Sequence, residues 1–191
     1  HWAGTREERA FFSLSRDYGA ARADLWRYLI IYQHGGFYTD AKCLCTQPLN
    51  DLVDRHRRGD VFAVLYYWWN KYGSRAFIGN TMGEIGQFYL LYSAGHPLLR
   101  AVLDRVVANI EAYTFEKDGA GKTAVLKLTG PHAYTLAIEK FLSERSDVYH
   151  SFLSSAEGSH YSALHLLGFD GGHEARYGND DYSPRQGPIC K

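Results

Sequence analysis

Two acids and an arginine are the residues of this chain best suited to chemistry. Asp24 and Arg27 lie three positions apart in a segment with helical hydrophobic spacing, and Asp40 follows sixteen positions after Asp24. Residues three apart on a helix share a face. A glycine pair at 35–36 ends this helix, and the strand predicted over 37–40 ends on Asp40. We therefore expect the three side chains to converge, in an arrangement that suits an anionic ligand with many hydroxyls, such as a nucleotide sugar.

The alternative is that Asp24 and Arg27 form an exposed ion pair with no function. Such a pair contributes only ~0.2–0.5 kcal/mol to a helix, and pairs of this kind are common on helix surfaces. The glycine pair favours a site instead, because it returns the chain along the helix and brings Asp40 back towards the pair.

Hydrophobic spacing and capping signals predict helices alternating with strands. The continuous apolar run at 61–66 is typical of a strand covered on both faces, and 98–113 has a strong helical stripe. Helices are predicted over 5–12, 21–32, 49–57, 85–92, 98–113 and 132–142, strands over 37–40, 61–66, 148–153 and 162–167, and loops over 118–122 and 168–191. This order predicts one α/β domain with a mostly parallel sheet and flanking helices. Ligands bind beyond the carboxyl ends of the strands in such sheets, which is where Asp40 is expected.

The composition is that of a globular protein with balanced charge. Of 191 residues, 46% are hydrophobic and 22% charged, and 21 basic residues balance 21 acidic ones. This balance gives no support to binding of nucleic acid or a membrane surface, and no apolar run approaches the ~20 residues of a membrane span. The three cysteines do not suggest a disulfide framework and favour a reducing compartment. We therefore expect a soluble protein, and the cytoplasm is favoured over an oxidising compartment without being fixed by the sequence.

The same residues resemble a known family. Ala-Arg-Ala-Asp-Leu-Trp-Arg-Tyr at 21–28 and Gln-His-Gly-Gly-Phe-Tyr-Thr-Asp-Ala-Lys at 33–42 resemble the core of glycosyltransferases with a sugar-binding DXD motif. That family includes a group of mannosyltransferases and, more distantly, the clostridial glucosylating toxins. Segments 93–97 and 129–135 resemble later landmarks of the family, in the same order along the chain.

The resemblance implies a GT-A fold over 1–191, with a loop-rich tail at 168–191. It also implies transfer of a sugar from a UDP- or GDP-linked donor to a hydroxyl acceptor, with retention of configuration. Asp40 corresponds to the first acid of the motif, which in the family faces the ribose, the donor sugar or the metal. The resemblance thus suggests Asp40 as a catalytic residue and as a candidate ligand of Mn²⁺ or Mg²⁺. The other residues that the resemblance suggests for donor-sugar binding are Asp24, Arg27, Gly36, Tyr38, Gln87 and His96.

Lys42 departs from the family pattern, because it stands where the second acid is expected. Mn²⁺ and Mg²⁺ need oxygen ligands, which a protonated lysine cannot supply. Lys42 could neutralise the leaving diphosphate in place of a metal, as a catalytic residue beside Asp40. Alternatively, Asp40 could hold the metal together with acids of the tail such as Asp170, Asp180 or Asp181. The third alternative is a chain that binds the nucleotide sugar without transferring it.

Two further points keep the function open. The family usually opens with a short apolar strand that binds the nucleotide base, and the start of this chain shows no such strand, so the donor nucleotide is undecided. A non-catalytic module that binds carbohydrate or nucleotide is the main alternative to a transferase. A protein-interaction domain that uses the aromatic run Tyr66-Tyr67-Trp68-Trp69 is the alternative of a different class.

Overall fold

The computed structural model describes residues 2–40, 43–45, 48–68, 83–153, 164–166 and 185–191. These residues form a mixed α/β domain in which helices pack against a four-stranded sheet. The helices are α1 (Arg6–Ser13), α2 (Gly19–His34), α3 (Leu49–His56), α4 (Pro97–Ala112), α5 (Phe115–Asp118), α6 (Gly121–Leu128) and α7 (Pro131–Glu144). The strands are β1 (Gly36–Thr39), β2 (Cys43–Cys45), β3 (Ala63–Leu65), β4 (Tyr67–Trp68), β5 (Glu84–Ile85), β6 (Tyr89–Tyr92), β7 (Ser151–Phe152) and β8 (Leu164–Leu166).

The four-stranded sheet has the order β1-β6-β3-β7. Strand β6 runs antiparallel to both of its neighbours, β1 and β3, and only β3 and β7 pair in parallel. The pairs β2–β8 and β4–β5 are also antiparallel. The predicted mostly parallel sheet is therefore wrong for the described strands, although the α/β class is confirmed. The expectation that Asp40 lies at the carboxyl edge of a parallel sheet fails with it.

The main reason for this error is β6, which lies within the helix predicted over 85–92. The capping pattern at 81–84 favoured a helix, but residues 81 and 82 lie outside the described part of the chain. All four residues of β6 are buried, and they alternate between the two faces of the sheet. Burial on both faces is typical of a central strand. Leu90 and Tyr92 pack into the larger core, and Tyr89 and Leu91 into a smaller one.

Helix α4 confirms the strongest helical prediction. His96 caps its first turn, because the imidazole Nδ1 accepts a hydrogen bond of 3.2 Å from the backbone N–H of Leu98, and Pro97 occupies the first helical position, where a missing N–H costs nothing. The apolar stripe faces the core and is buried at every position: Leu99, Val102, Leu103, Val106 and Ile110. Full burial of each large apolar side chain contributes ~1.5–3 kcal/mol, which makes α4 a principal support of the larger core.

The loop predicted over 118–122 is wrong in most of its length. Helix α5 ends at Asp118 and α6 begins at Gly121, so only two residues separate them. The positive φ angles of Gly119 and Gly121, both 70°, explain why the sequence resembles a loop. Burial of Ala124, Val125 and Leu128 holds α6 in place.

The turn between α2 and β1 requires a glycine. Gly35 has a φ of 64°, and a Cβ at this position would lie 2.5 Å from the backbone nitrogen of Ala94. Its N–H caps the helix by donating to the carbonyl of Ile31 at 2.8 Å. The predicted end of the helix at the glycine pair is confirmed, but the ψ of Gly35 is −162°, so its conformation is the extended one open to glycine and not the left-handed helical cap. This turn directs the chain from α2 into β1. None of the helices in the described ranges has the length and apolarity needed to cross a bilayer.

Candidate functional site

Arg27 bridges the two acids that the sequence singled out. Its Nη2 lies 3.3 Å from Oδ1 of Asp24, and its Nη1 lies 3.1 Å from Oδ1 of Asp40. The predicted convergence of the three side chains is confirmed. The pair of Arg27 and Asp24 is also buried, with side chains 8% and 6% exposed, so the alternative of an exposed ion pair is wrong. Asp40 is the most open member, with its side chain 20% exposed.

Helix α2 and strand β1 place these groups. Asp24 and Arg27 lie on the buried face of α2, and the turn at Gly35 returns the chain beside that face as β1. Strand β1 pairs with β6, with Thr39 opposite Tyr89. Just beyond this register, the backbone N–H of Asp40 donates to the carbonyl of Phe88 at 2.8 Å. The backbone of Asp40 is therefore fixed by antiparallel pairing.

Tyr38 joins the cluster from β1. Its hydroxyl donates to Oδ1 of Asp40 at 2.8 Å, and the guanidinium carbon of Arg27 lies 4.9 Å from the centroid of its ring. The indole of Trp26 meets the same ring edge-on, with 6.2 Å between the ring centroids. Tyr38 thus contacts both Arg27 and Asp40, and its predicted role beside a donor sugar stays a prediction.

Two further residues, Thr129 and Gln87, donate hydrogen bonds to Asp24. The hydroxyl of Thr129 donates to Oδ2 of Asp24 at 2.9 Å, and Nε2 of Gln87 donates to Oδ1 at 3.1 Å. The backbone carbonyl of Gln87 accepts from Nη1 of Arg27 at 3.0 Å. The structure therefore brings Gln87 into the cluster. Thr129 was not predicted as a site residue, and the only signal in the sequence was its place in the family landmark at 129–135.

The buried side chain of Tyr28 contacts both Gln87 and Thr129. Its hydroxyl has two acceptors within reach, Oε1 of Gln87 and the backbone carbonyl of Thr129, the latter at 3.0 Å. Its ring stacks on that of Tyr134, with 5.6 Å between centroids. A rigid, buried side chain thus contacts both residues that hydrogen-bond Asp24.

Burial and the opposed charges set the protonation of the cluster. Burial raises the pKa of Asp24 to about 6, although Arg27 and the hydrogen bond from Thr129 act in the opposite direction. For Arg27, burial lowers the pKa, but the nearby carboxylates of Asp24 and Asp40 outweigh it and the pKa is raised overall. Arg27 is consequently a permanent cation, whereas Asp24 changes charge close to neutral pH.

Gly36 and His96 were also predicted to bind the donor sugar. Gly36 begins β1 with a φ of 92°, and no heavy atom lies within 4 Å of where its Cβ would be. His96 is fully buried: beyond capping α4, its Nε2 lies 3.2 Å from the carbonyl of Tyr149, and burial lowers the pKa of its imidazole. The donor-sugar roles of Gly36 and His96 stay predictions.

The described residues do not by themselves make a site that fits Mn²⁺ or Mg²⁺. Such cations take about six oxygen ligands, and no group of three His, Cys, Asp or Glu side chains suited to a metal occurs in the described ranges. Oδ1 of Asp40 is shared by Arg27 and Tyr38. Lys42 and the tail acids Asp170, Asp180 and Asp181 lie outside the described residues. The role of Asp40 as a metal ligand therefore stays a prediction.

Comparison with known proteins supports the family resemblance. Residues 4–58 match the family described as "Glycosyltransferase sugar-binding region containing DXD motif". The match includes all of α2 and β1 and the three residues of the cluster, and the resemblance seen in the sequence is confirmed. No curated protein matches the chain significantly.

Among solved structures, the chain is similar to the one described as "PaToxG Glycosyltransferase". The similarity covers 75% of this chain at 17% sequence identity, with a TM-score of 0.48. The chain spans 42% of the length of that protein.

Proposed function

We propose that this chain is a glycosyltransferase that binds a nucleotide-diphosphate sugar and transfers the sugar to a hydroxyl acceptor. The observation that supports this most strongly is the buried guanidinium of Arg27, which bridges Asp24 and Asp40 inside the segment that matches the sugar-binding region of the family. We include the GT-A fold and retention of configuration in the proposal, because both accompany the family resemblance.

Asp40 is the member of the cluster that a ligand meets first. Its side chain is the most exposed of the three, at 20%, and its carboxylate can accept hydrogen bonds from sugar hydroxyls. Arg27 lies directly behind it and supplies positive charge in a site where little water screens that charge. Sugar hydroxyls that pair with both groups would be held in one orientation, which lowers the entropic part of the barrier to group transfer.

The reaction also requires positive charge at the diphosphate. The bond between the anomeric carbon and the diphosphate oxygen breaks, a bond to the acceptor oxygen forms, and the acceptor's proton passes to the leaving diphosphate or to solvent. Negative charge accumulates on the diphosphate as it leaves, and a fixed cation stabilises that transition state. We propose Lys42, two positions after Asp40 in the sequence, for this role.

Calorimetric titration with UDP-glucose and GDP-mannose tests the proposal. We expect one of the two to bind and to be slowly hydrolysed without an acceptor, and Asp40→Asn to weaken both binding and hydrolysis. Hydrolysis should continue after a chelator is added, because Lys42 supplies the cation. A strong requirement for Mn²⁺ would contradict the role of Lys42, and the absence of binding to either sugar would contradict the proposed function.

Binding without transfer is a second candidate, favoured by the lysine at the position of the second acid. The substitution Lys42→Asp separates the two functions. A gain of Mn²⁺-dependent hydrolysis in this variant, from a parent that binds but does not turn over, would identify a binding module derived from an enzyme. Loss of hydrolysis with retained binding would identify Lys42 as a catalytic residue of a working transferase.

The interaction-domain alternative has less structural support. Tyr67 stacks on Phe152, with 4.8 Å between ring centroids, and Tyr66 packs against the smaller core. Both are partly buried, so these two members of the aromatic run contribute to the fold. Trp69 lies outside the described residues.

A further inference from the structure

We infer that Thr129 and Gln87 are positioning residues of the donor site: they hold the Asp24 carboxylate against Arg27 and thereby fix the guanidinium that the donor meets. The inference rests on the proposed function of this site. Thr129 thereby gains a role in the site. Gln87 acts through its hydrogen bond to the Asp24 carboxylate, and not by contact with the sugar.

Several donors converge on the carboxylate of Asp24. Its carboxylate is almost fully buried, at 4% exposure, and each of its oxygens already accepts a hydrogen bond from a neutral side chain. Thr129 donates to Oδ2 at 2.9 Å, and Gln87 donates to Oδ1 at 3.1 Å. Arg27 contacts the same Oδ1 at 3.3 Å. Three donors therefore converge on this buried carboxylate, so Thr129 and Gln87 fix the position of Asp24 and, through it, that of Arg27.

The side-chain amide of Gln87 has a defined orientation in this cluster. An amide presents a donor on one side and an acceptor on the other, and only the donor side suits an ionised Asp24. The ionised carboxylate of Asp24 therefore selects the orientation with Nε2 towards it, and Oε1 on the other side lies within hydrogen-bonding reach of the Tyr28 hydroxyl. The backbone carbonyl of Gln87 accepts from Arg27 at 3.0 Å. One residue therefore contacts both members of the ion pair.

The electrostatic setting explains why such support is needed. Burial opposes ionisation of Asp24, whereas the hydrogen bonds from Thr129 and Gln87 favour it. Among the described residues, the ionisable groups that act on the pair are Tyr28 on α2, Tyr38 on β1 and Asp40 after it. Asp40 repels the charge on Asp24, so without the two neutral donors Asp24 would take up a proton at a higher pH. Arg27 would then lose one of its two anionic partners.

The experiment compares Thr129→Val, which has nearly the same shape but lacks the hydroxyl, with Thr129→Ser, which keeps it. Thr135→Val is the matched control, because the hydroxyl of Thr135 is equally buried but accepts a hydrogen bond from the backbone N–H of Ile85 at 2.8 Å. Affinity for UDP-glucose and GDP-mannose is measured by calorimetry between pH 5 and 8. The protonation of Asp24 is followed by NMR of its side-chain carboxyl carbon.

We expect Thr129→Val to weaken donor binding about tenfold, the effect of losing one hydrogen bond to a buried charge, and to raise the pH at which Asp24 titrates. Thr129→Ser should restore both properties, and Thr135→Val should lower the melting temperature without changing either. Should Thr129→Val fail to fold, Tyr28→Phe replaces it, because the loss of that hydroxyl frees the Gln87 amide and should shift both readouts in the same direction.

Two results would overturn the inference, and they are distinguishable. A wild-type protein that binds a nucleotide sugar, together with a Thr129→Val variant that behaves like Thr135→Val, would show that Thr129 has only a structural role. Failure of the wild type to bind either nucleotide sugar would overturn the proposed function, and the inference with it.

Discussion

Arginine–carboxylate clusters occur in two very different regions of this domain. On the surface, Arg6 pairs with Glu111 at 2.5 Å, which joins α1 to α4, with side chains 45% and 46% exposed. In the interior, Arg27 contacts Asp24 and Asp40 at 3.3 and 3.1 Å, with side chains 8%, 6% and 20% exposed. The surface pair has the shorter distance, so burial and not distance distinguishes the two regions.

The difference indicates what each cluster does. An exposed pair is screened by water and salt, so it contributes little to stability and costs little to keep. A buried pair has lost its hydration, and its mutual attraction only partly compensates that loss. The raised pKa of Asp24 reflects the same cost. An interior cluster that is expensive to maintain is better explained by a role in binding than by a contribution to folding.

Removal of the central cation should have the largest effect. Arg27→Met keeps most of the side-chain volume but leaves the buried Asp24 without its counter-ion. We expect a loss of about 3–5 kcal/mol in the free energy of unfolding, measured by urea denaturation, and the loss of nucleotide-sugar binding. A variant that is as stable as the wild type at pH 7 would show that the interior cluster does not differ from the surface one.

The charge of Asp24 should give the next largest effect, and it depends on pH. The pKa of Asp24 is about 6 in the folded protein, against an ordinary value of 3.8, so between these values the folded state holds more protons than the unfolded state. This contribution to stability is full below about pH 4 and is lost as the pH rises through about 6, a loss of up to about 3 kcal/mol.

Comparison with Asp24→Asn isolates that contribution, because the amide has no charge to titrate. The free energy of unfolding of the wild type, relative to this variant, should fall between pH 4 and pH 6.5. Denaturation curves at half-unit intervals measure the difference. Parallel pH profiles for the two proteins would show that Asp24 titrates normally and that its environment is more hydrated than the structure indicates.

The surface pair should give the smallest effect. Arg6→Gln removes a charge that water already screens, so its effect on stability should be far below that of Arg27→Met and should shrink further in high salt. Donor binding should not change. A loss of donor binding in this variant would mean that the surface network of α1 and α4 communicates with the site.

Local signals in the sequence predicted the parts of the fold that depend on neighbouring residues. The cap at Thr5 is present, with its hydroxyl accepting from the backbone N–H of Glu8 at 3.3 Å, and α4 follows its apolar stripe. Strand β6 shows where such signals fail. Its extended conformation depends on pairing with β1 and β3, which are distant in the sequence. The packing that buries both of its faces outweighed a helix signal at the preceding residues.

The same distinction applies to the site. Asp24, Arg27 and Asp40 could be predicted to meet, because one helix, one glycine turn and one strand connect them. Thr129 hydrogen-bonds Asp24 across a separation of 105 residues, and no local pattern reveals that contact. A threonine before a Gly-Pro pair is ordinary in type, and only the packing of α6, which Thr129 follows, beside α2 gives it a role.

A crystal structure of the chain soaked with UDP-glucose or GDP-mannose is the most direct test of the central claim, which is that the cluster around Arg27 binds the donor. We predict density for the sugar within hydrogen-bonding distance of Asp40 and the guanidinium of Arg27, with Asp24 still held by Thr129 and Gln87. Density for the nucleotide sugar elsewhere on the domain, with the cluster unchanged and empty, would contradict the claim.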